Sequence, residues 1–206
     1  MTATNHWDRV YSTKSAEAVS WYQPHADHSL RLIQGSGLPL GASIIDVGGG
    51  ASSLVDDLLA HGYTNLSVLD LSQAALSAVQ KRLGAAADKV RWIDGDITRV
   101  ALPFHAYDLW HDRAVFHFLT DPRQRQAYVE SVLRAVKPGG HVIVATFAED
   151  GPSQCSGLPV MRYRADELHA EFGAPFTLLR HEREEHRTPF GTTQDFIYCH
   201  CRKENT

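Results

Sequence analysis

Cysteine is scarce in this chain of 206 residues: there are only Cys155, Cys199 and Cys201. An odd number of cysteines does not build a fully paired disulfide framework, so a reducing compartment is expected. The first residues also lack the apolar core of a secretory signal peptide. Together these features predict a cytoplasmic protein.

Long hydrophobic runs and an excess of basic residues are missing as well. No apolar stretch approaches the ~20 residues that a membrane-spanning helix requires, so no membrane partner is predicted. The 20 Lys and Arg residues stand against 24 Asp and Glu residues, which gives a formal net charge of -4. A protein that neutralises a phosphate backbone usually carries a basic excess. Nucleic acid is therefore not an expected partner.

Histidine, in contrast, is abundant, with 12 residues, which raises the question of a metal site. Cys199 and Cys201 alternate along a predicted strand, so their sulfur atoms lie on one face and His200 lies on the other. No Cys-x-x-Cys pair, which is typical of a cysteine-rich structural zinc site, accompanies them. A buried structural pair of thiols is the better interpretation, and no metal is predicted.

Short apolar runs alternate with helical stretches from residue 43 onward. Five strand–helix units are followed by two strand-like segments, residues 177–186 and 195–201, and the turn between them is too short for a helical crossover. This order predicts an α/β fold, a three-layer, doubly wound sandwich whose seven-stranded, mostly parallel sheet ends in an antiparallel β-hairpin. In such sheets, ligands bind beyond the carboxyl ends of the strands.

The first 40 residues differ from the rest, because they are rich in aromatic side chains and helical in pattern. A helix capped by Ser15 is predicted to run to about Gln23, Pro24 interrupts it, and a second helical segment follows. We therefore divide the chain into an N-terminal helical extension or lid, residues 1–40, and a ligand-binding domain, residues 41–206.

A glycine-rich loop joins the first predicted strand to the first helix of that domain. It contains Asp46, Gly48, Gly49 and Gly50, and glycines there let the backbone approach a ligand closely. A dinucleotide-binding fingerprint would need a third glycine where the chain has Ser53. The loop is similar to the acidic-x-Gly-x-Gly-x-Gly loop of class I S-adenosylmethionine (SAM) dependent methyltransferases, although serine (residue 52) replaces the last glycine.

Acidic residues lie at the ends of the next two predicted strands. Asp70, followed by Leu71, ends the second strand, where a carboxylate can accept hydrogen bonds from both hydroxyl groups of a ribose. Asp96 and Ile97 follow the third strand in a Gly-Asp-apolar step. This step resembles the adenine site of the same methyltransferases, in which the carboxylate accepts from the adenine amino group and the apolar side chain packs on the ring.

Two more segments extend the resemblance. Residues 107–119 resemble the segment around strand four in small-molecule methyltransferases and, through Asp112 and Arg113, the corresponding segment of a lysine-methylating branch. Residues 133–140 resemble the turn into strand five. With five motifs in register over about residues 43–203, the chain is identified as a member of the class I SAM-dependent methyltransferases.

This resemblance implies a strand order of 3-2-1-4-5-7-6, SAM as the cofactor, and in-line methyl transfer that releases S-adenosylhomocysteine. It assigns to the cofactor site Asp46, Gly48, Gly49, Gly50, Asp70, Leu71, Asp96, Ile97 and His111. Trp7 and Tyr11 share one face of a predicted helix, and the resemblance implies that they close over the methionine end of the cofactor.

Catalytic and acceptor-binding residues are predicted near the same sheet edge. His117 and His111 are candidates for a general base, because neutral imidazole takes up a proton near pH 7. The residues predicted to line the acceptor are Trp21, Tyr22, Arg162, Tyr163 and His186.

The acceptor stays open between a small molecule and a protein, possibly a lysine side chain, and the oligomeric state is not predicted. Two other functions compete with methyl transfer. An NAD(P)-binding oxidoreductase is one, but the chain lacks the third glycine and a catalytic Tyr-x-x-x-Lys motif. A non-catalytic partner subunit with a degenerate methyltransferase fold is the other, and Ser52 is its only support.

Overall fold

The structure is a computed structural model that describes residues 3–13 and 16–205. Its helices are α1 (Ala3–Thr13), α2 (Asp27–Gln34), α3 (Leu54–Ala60), α4 (Gln73–Leu83), α5 (Pro122–Ala135) and α6 (Ala165–Phe172). Its strands are β1 (Ser43–Val47), β2 (Asn65–Asp70), β3 (Val90–Asp94), β4 (Tyr107–Arg113), β5 (Val136–Phe147), β6 (Gln154–Cys155), β7 (Leu158–Pro159), β8 (Phe176–Arg187) and β9 (Thr193–Lys203).

Seven strands form one sheet in the order β3-β2-β1-β4-β5-β9-β8. The first five strands are parallel, and β9 runs antiparallel to both β5 and β8. The predicted fold class is therefore confirmed, and so is the strand order, since β8 and β9 are the sixth and seventh strands of this sheet. The small β6–β7 hairpin was not predicted, because that stretch has the composition of a loop.

Buried apolar side chains form a layer on each face of the sheet. One layer contains Trp110 of β4 and Tyr128 of α5, and the other contains Leu109 of β4 and Leu54 of α3. Consecutive strand residues point to opposite faces, so the apolar run of β4 supplies both layers. This double burial explains why the central strands lack polar alternation.

Local signals define two helix starts as predicted. Ser72 caps α4 by accepting a hydrogen bond from the Ala75 amide at 3.2 Å. Asp121 caps α5 by accepting from the Arg123 amide at 2.9 Å, with Pro122 in the first turn. Each cap satisfies an amide that the helix itself leaves unpaired.

The helix predicted between Ser15 and Gln23 is not formed in the structure. The first helix is α1, upstream of the predicted one, and the chain makes only a 3-10 turn at Ala16–Ala18 before running irregularly to α2; Ser15, the predicted cap, lies outside the described residues. The Trp21 ring packs edge-on against Trp7, with 5.7 Å between ring centroids. Helix propensity is a weak preference that tertiary packing can override.

Candidate active site

A cavity of about 250 Å³ lies at the carboxyl ends of β1, β2 and β4, which is the edge where a parallel sheet binds ligands. Eight of the residues predicted to form the site line it: Trp7, Tyr11, Trp21, Gly48, Asp70, Leu71, Asp96 and Ile97. A smaller cavity of about 40 Å³ adjoins it and is lined by Asp46, Gly49, His111 and Tyr22, among others. Trp21, Gly48 and Arg113 line both cavities.

Gly48 is the residue of the glycine-rich loop that packs against the turn after β4. Its φ is +74°, a region that side chains rarely adopt, and a Cβ there would lie 2.0 Å from Cγ2 of Val115. Ser52, which replaces the last glycine of the motif, has an ordinary φ of -74°. Its hydroxyl accepts a hydrogen bond from the Leu54 amide at 3.0 Å. The backbone at residue 52 therefore does not require the glycine of the family pattern, and serine is accommodated there without strain.

Asp70 is buried beneath the loop with its carboxylate in the cavity wall. It accepts hydrogen bonds from the Gly50 amide at 3.0 Å and from the Ser72 amide at 2.8 Å. A Cβ on Gly50 would lie 2.6 Å from Oδ2 of Asp70, so this glycine permits the carboxylate to approach. Burial raises the pKa of Asp70 to about 6, which leaves the group mostly ionised at pH 7.5.

Asp96 and Ile97 lie at the other end of the cavity. The Asp96 carboxylate accepts from the Thr98 amide at 2.9 Å and from its hydroxyl at 2.7 Å. Ile97 is buried beside it. This end of the cavity offers one hydrogen-bond acceptor next to an apolar surface, which suits the edge and face of a heteroaromatic ring.

The smaller cavity is lined by the buried carboxylate of Asp46, one oxygen of which accepts no hydrogen bond within the described residues. Oδ1 of Asp46 lies 2.7 Å from Nδ1 of His111, and Nε2 of His111 lies 2.8 Å from the Ser29 hydroxyl. Oδ2 of Asp46 has no hydrogen-bond partner among the described residues. Because a buried polar atom without a partner is costly, this oxygen marks a place for a donor from a ligand.

Arg113 is a site residue whose importance the sequence does not reveal. Its Nε donates to the Tyr198 hydroxyl at 2.9 Å, its Nη2 donates to Glu184 at 3.2 Å, and its guanidinium lies 4.0 Å above the Phe196 ring. Burial alone would raise the pKa of Glu184, but the charge of Arg113 and the hydrogen bonds to the carboxylate leave it lowered. Strand β8 supplies Glu184 from 71 positions further along the chain, so no local pattern could have paired the two.

Helix α1 covers the cavity. The Trp7 ring stacks on Tyr11 with 6.0 Å between centroids and contacts Phe118 edge-on at 5.1 Å. Asp8 fixes the helix to the sheet edge, because its carboxylate accepts a hydrogen bond from the Ser72 hydroxyl at 2.7 Å. The predicted lid residues therefore lie over the predicted cofactor site, and their contact with the cofactor stays a prediction.

The β6–β7 hairpin covers a second side of the cavity with Cys155, Leu158 and Pro159. Burial raises the pKa of the Cys155 thiol to about 12, so this cysteine is an uncharged wall residue. The sequence offered no signal for this cover beyond its position after β5.

His117 is not brought to either cavity. It is 0% exposed, and the Phe147 amide lies 3.4 Å from its Nδ1. Burial lowers its pKa to about 3. The placement argues against the predicted role as a base, because the ring has no path to an acceptor in the cavity. His111 is similarly enclosed, with both ring nitrogens engaged.

The predicted acceptor residues are dispersed. Trp21 alone among them lines the larger cavity. Arg162 donates to the Gly151 carbonyl at 3.2 Å, and the buried Tyr163 bonds Glu171 at 3.2 Å. His186 donates to the Ser20 carbonyl at 2.7 Å and lies with Tyr22 in an open groove. Topology gave the correct sheet edge for these residues but not the direction of their side chains.

Two features are absent from the described ranges. No helix there is long and apolar enough to cross a membrane. No group of three or more His, Cys, Asp or Glu residues in the same ranges is placed to hold a metal ion.

Comparison with known proteins identifies the type of domain. Residues 44–140 match the family model described as a methyltransferase domain. The chain is 31% identical over 114 residues to the ubiquinone/menaquinone biosynthesis C-methyltransferase UbiE of Roseobacter denitrificans, covering 53% of this chain and 44% of that protein. It is 23% identical over 200 residues to human EEF1A lysine methyltransferase 2, covering 89% and 76%. The chain thus spans less than half the length of the first of these relatives.

Solved structures share the fold. One, described as converting a disulfide bond into a thioacetal group during echinomycin biosynthesis, has a TM-score of 0.79 at 19% identity, covering 100% of this chain and 94% of that one. Another, the Burkholderia thailandensis 1,6-didemethyltoxoflavin-N1-methyltransferase with its substrate and S-adenosylhomocysteine, has a TM-score of 0.71 at 19% identity, covering 98% and 88%. These matches support a methyltransferase domain within residues 44–140, with the fold of the solved methyltransferases, in agreement with the predicted SAM-dependent family and with SAM as its cofactor.

Proposed function

Starting from a SAM-dependent methyltransferase domain, we propose that this chain methylates a small, weakly acidic molecule inside the larger cavity. The observation that carries the proposal is the cover on two sides of that cavity, α1 with Trp21 on one and the β6–β7 hairpin on the other. A small acceptor fits such an enclosure, which also excludes water from the reacting groups.

The cofactor residues match the chemistry of SAM. Asp70 would accept hydrogen bonds from ribose hydroxyls, and Asp96 would accept from the adenine amino group beside Ile97. The unpartnered Oδ2 of Asp46 would accept from the ammonium group of the methionine end, which would also balance the buried negative charge. When bound, SAM supplies an electrophilic methyl group on a sulfonium centre.

The chain's own contribution is alignment and exclusion of water. Trp7, Tyr11, Trp21 and Phe118 would hold an acceptor between apolar rings. Among the described residues that line the larger cavity there is no histidine, and its carboxylates are Asp70 and Asp96, which the cofactor would occupy. An acceptor in this cavity must therefore lose its proton without a dedicated base.

This requirement defines the acceptor class. A thiol or an acidic heteroaromatic N–H ionises much closer to neutral pH than a lysine ammonium, whose reference pKa is about 10.4. Arg113 is the one cationic side chain among the described lining residues of the larger cavity, and its charge is balanced by Glu184 at 3.2 Å. The described lining therefore offers no unpaired group to take up a proton from an ammonium acceptor.

Protein lysine methylation is the second candidate. The similarity to human EEF1A lysine methyltransferase 2 over 200 residues favours it. It requires α1 or the β6–β7 hairpin to open far enough to admit a side chain of another protein.

Transfer of label separates the candidates. The protein is incubated with methyl-labelled SAM and an extract of the organism that encodes it, and the products are separated by size. We expect label in the small-molecule fraction, absent with the Asp70→Asn variant. Label confined to a protein band would contradict the proposal and support the second candidate.

We further propose that α1 acts as a lid of the N-terminal extension and that the protein works in the cytoplasm. The contacts of Trp7 and Asp8 over the cavity support the lid. The three cysteines, all buried as free thiols, support a reducing compartment.

A further inference from the structure

A buried carboxylate behind the larger cavity has no part in the proposed chemistry. Asp112, at the end of β4, is 0% exposed and lines neither cavity. It accepts three hydrogen bonds, from the Val115 amide at 2.9 Å, the Phe116 amide at 3.1 Å and the Tyr128 hydroxyl at 2.6 Å. A charged group this deep in the protein needs such partners, because desolvation is otherwise costly.

Two of those bonds hold the turn that follows β4. The turn has an unusual backbone, since Ala114 adopts a φ of +73°, a region that residues with a side chain rarely adopt. The Val115 side chain then lies against Gly48, where a Cβ on the glycine would meet it at 2.0 Å. The carboxylate thus satisfies the first amides of a strained turn and fixes its contact with the glycine-rich loop.

This turn supplies a large part of the cavity wall. Arg113, Ala114, Val115 and Phe118 all line the larger cavity, and Phe118 also packs against Trp7 of the lid at 5.1 Å. A shift of the turn would therefore move the cofactor wall, the cation and an aromatic contact of the lid together.

We infer that Asp112 is a positioning residue: by accepting the Val115 and Phe116 amides it holds the turn after β4 in the shape that binds the cofactor. The inference rests on the proposed function of the cavity. Burial raises the pKa of Asp112 to about 6, so the carboxylate is mostly ionised at pH 7.5, where the test is made.

The test compares two buried variants. Asp112→Asn replaces one carboxylate oxygen with an NH₂ group, which faces the Val115 amide at the Oδ1 position or both the Phe116 amide and the Tyr128 hydroxyl at the Oδ2 position. Tyr128→Phe is the matched control, because it removes the Tyr128 bond to Asp112 and the bond from Trp110 at 2.9 Å while leaving both turn bonds in place. Affinity for S-adenosylhomocysteine is measured by calorimetry at pH 7.5, and the melting temperature by scanning fluorimetry.

We expect both variants to melt earlier, but only Asp112→Asn to lose affinity, by at least about tenfold, with Tyr128→Phe within about threefold of the wild type. A purely structural role would lower both melting temperatures and leave both dissociation constants unchanged, and this outcome would overturn the inference. Equal loss of affinity in the two variants would overturn it too. Failure of the wild type to bind S-adenosylhomocysteine would instead contradict the proposed function.

If Asp112→Asn does not fold, hydrogen exchange in the wild type replaces it. The Val115 and Phe116 amides are expected to be protected in the ligand-free protein as strongly as the amides within β4. Exchange of these two amides within minutes, beside protected β4 amides, would show that the carboxylate does not hold the turn.

Discussion

Individual carboxylates distinguish this cavity from a generic apolar pocket. Asp70 and Asp96 each keep lone pairs free beyond the hydrogen bonds made within the protein, and both line the cavity. The sequence predicts the positions of both residues, Asp70 at the end of β2 and Asp96 just after β3.

Replacing either carboxylate with its amide should weaken the binding of S-adenosylhomocysteine. A hydrogen bond to a charged acceptor contributes roughly 1.5–3 kcal/mol, so Asp70→Asn and Asp96→Asn should each raise the dissociation constant about 10- to 150-fold in calorimetry. Asp88→Asn, an exposed position, serves as the control and should leave it unchanged. Wild-type affinity in both cavity variants would place the cofactor elsewhere.

The raised pKa of Asp70 predicts a pH dependence of binding. Burial raises this pKa to about 6, with a smaller contribution from the negative charge of Asp46, and the Gly50 and Ser72 amides oppose the rise. Below pH 6 the group becomes protonated and loses its charge, so affinity should fall by up to about tenfold per pH unit. Titrations at pH 7.5 and pH 5 measure this, and Asp70→Asn should flatten the profile. Equal affinity of the wild type at both pH values would contradict it.

At the scale of the structural elements, the glycine-rich loop needs glycine at position 48 for two reasons, the positive φ and the close contact with Val115. Gly48 and Gly37 both have a φ of +74°, but a Cβ on Gly37 would meet nothing within 4 Å. Gly37→Ala should therefore cost only about 1–2 kcal/mol of unfolding free energy and leave cofactor affinity intact. Gly48→Ala should cost more and raise the dissociation constant above tenfold, because Val115 and the loop must separate. Denaturant titration and calorimetry on both variants measure the difference, and equal behaviour would refute the role of this contact.

Helix α1 should control how long the cofactor stays bound. Asp8→Ala removes the bond from the Ser72 hydroxyl, so S-adenosylhomocysteine should dissociate about 3- to 10-fold faster in stopped-flow tryptophan fluorescence. Arg9→Ala alters an exposed side chain of the same helix and is the control. An unchanged dissociation rate in Asp8→Ala would show that α1 does not act as a lid.

At the scale of the whole molecule, the features that could be predicted are those set by the periodicity and local motifs of the sequence. The alternation of β and α elements and the short turn between β8 and β9 predict the sheet, because chain connectivity leaves few other arrangements. Gly48, Asp70 and Asp96 all line the larger cavity, because each lies at or just beyond the carboxyl end of a strand.

Long-range packing accounts for what was missed. Helix α1 contacts Trp21 through Trp7, and Arg113 pairs with Glu184 of a distant strand. Whether His117 points into the cavity or the core depends on the backbone of the strained turn at Ala114. None of these is a property of a local window of sequence.

A crystal structure with S-adenosylhomocysteine would test the central claim most directly, that the cavity beyond β1, β2 and β4 is the cofactor site. We expect the ribose hydroxyls on Asp70, the adenine amino group on Asp96, and the amino group of the homocysteine end within hydrogen-bond distance of Oδ2 of Asp46. A ligand bound outside this cavity, or inside it with Asp70 and Asp96 making no contact, would contradict the claim.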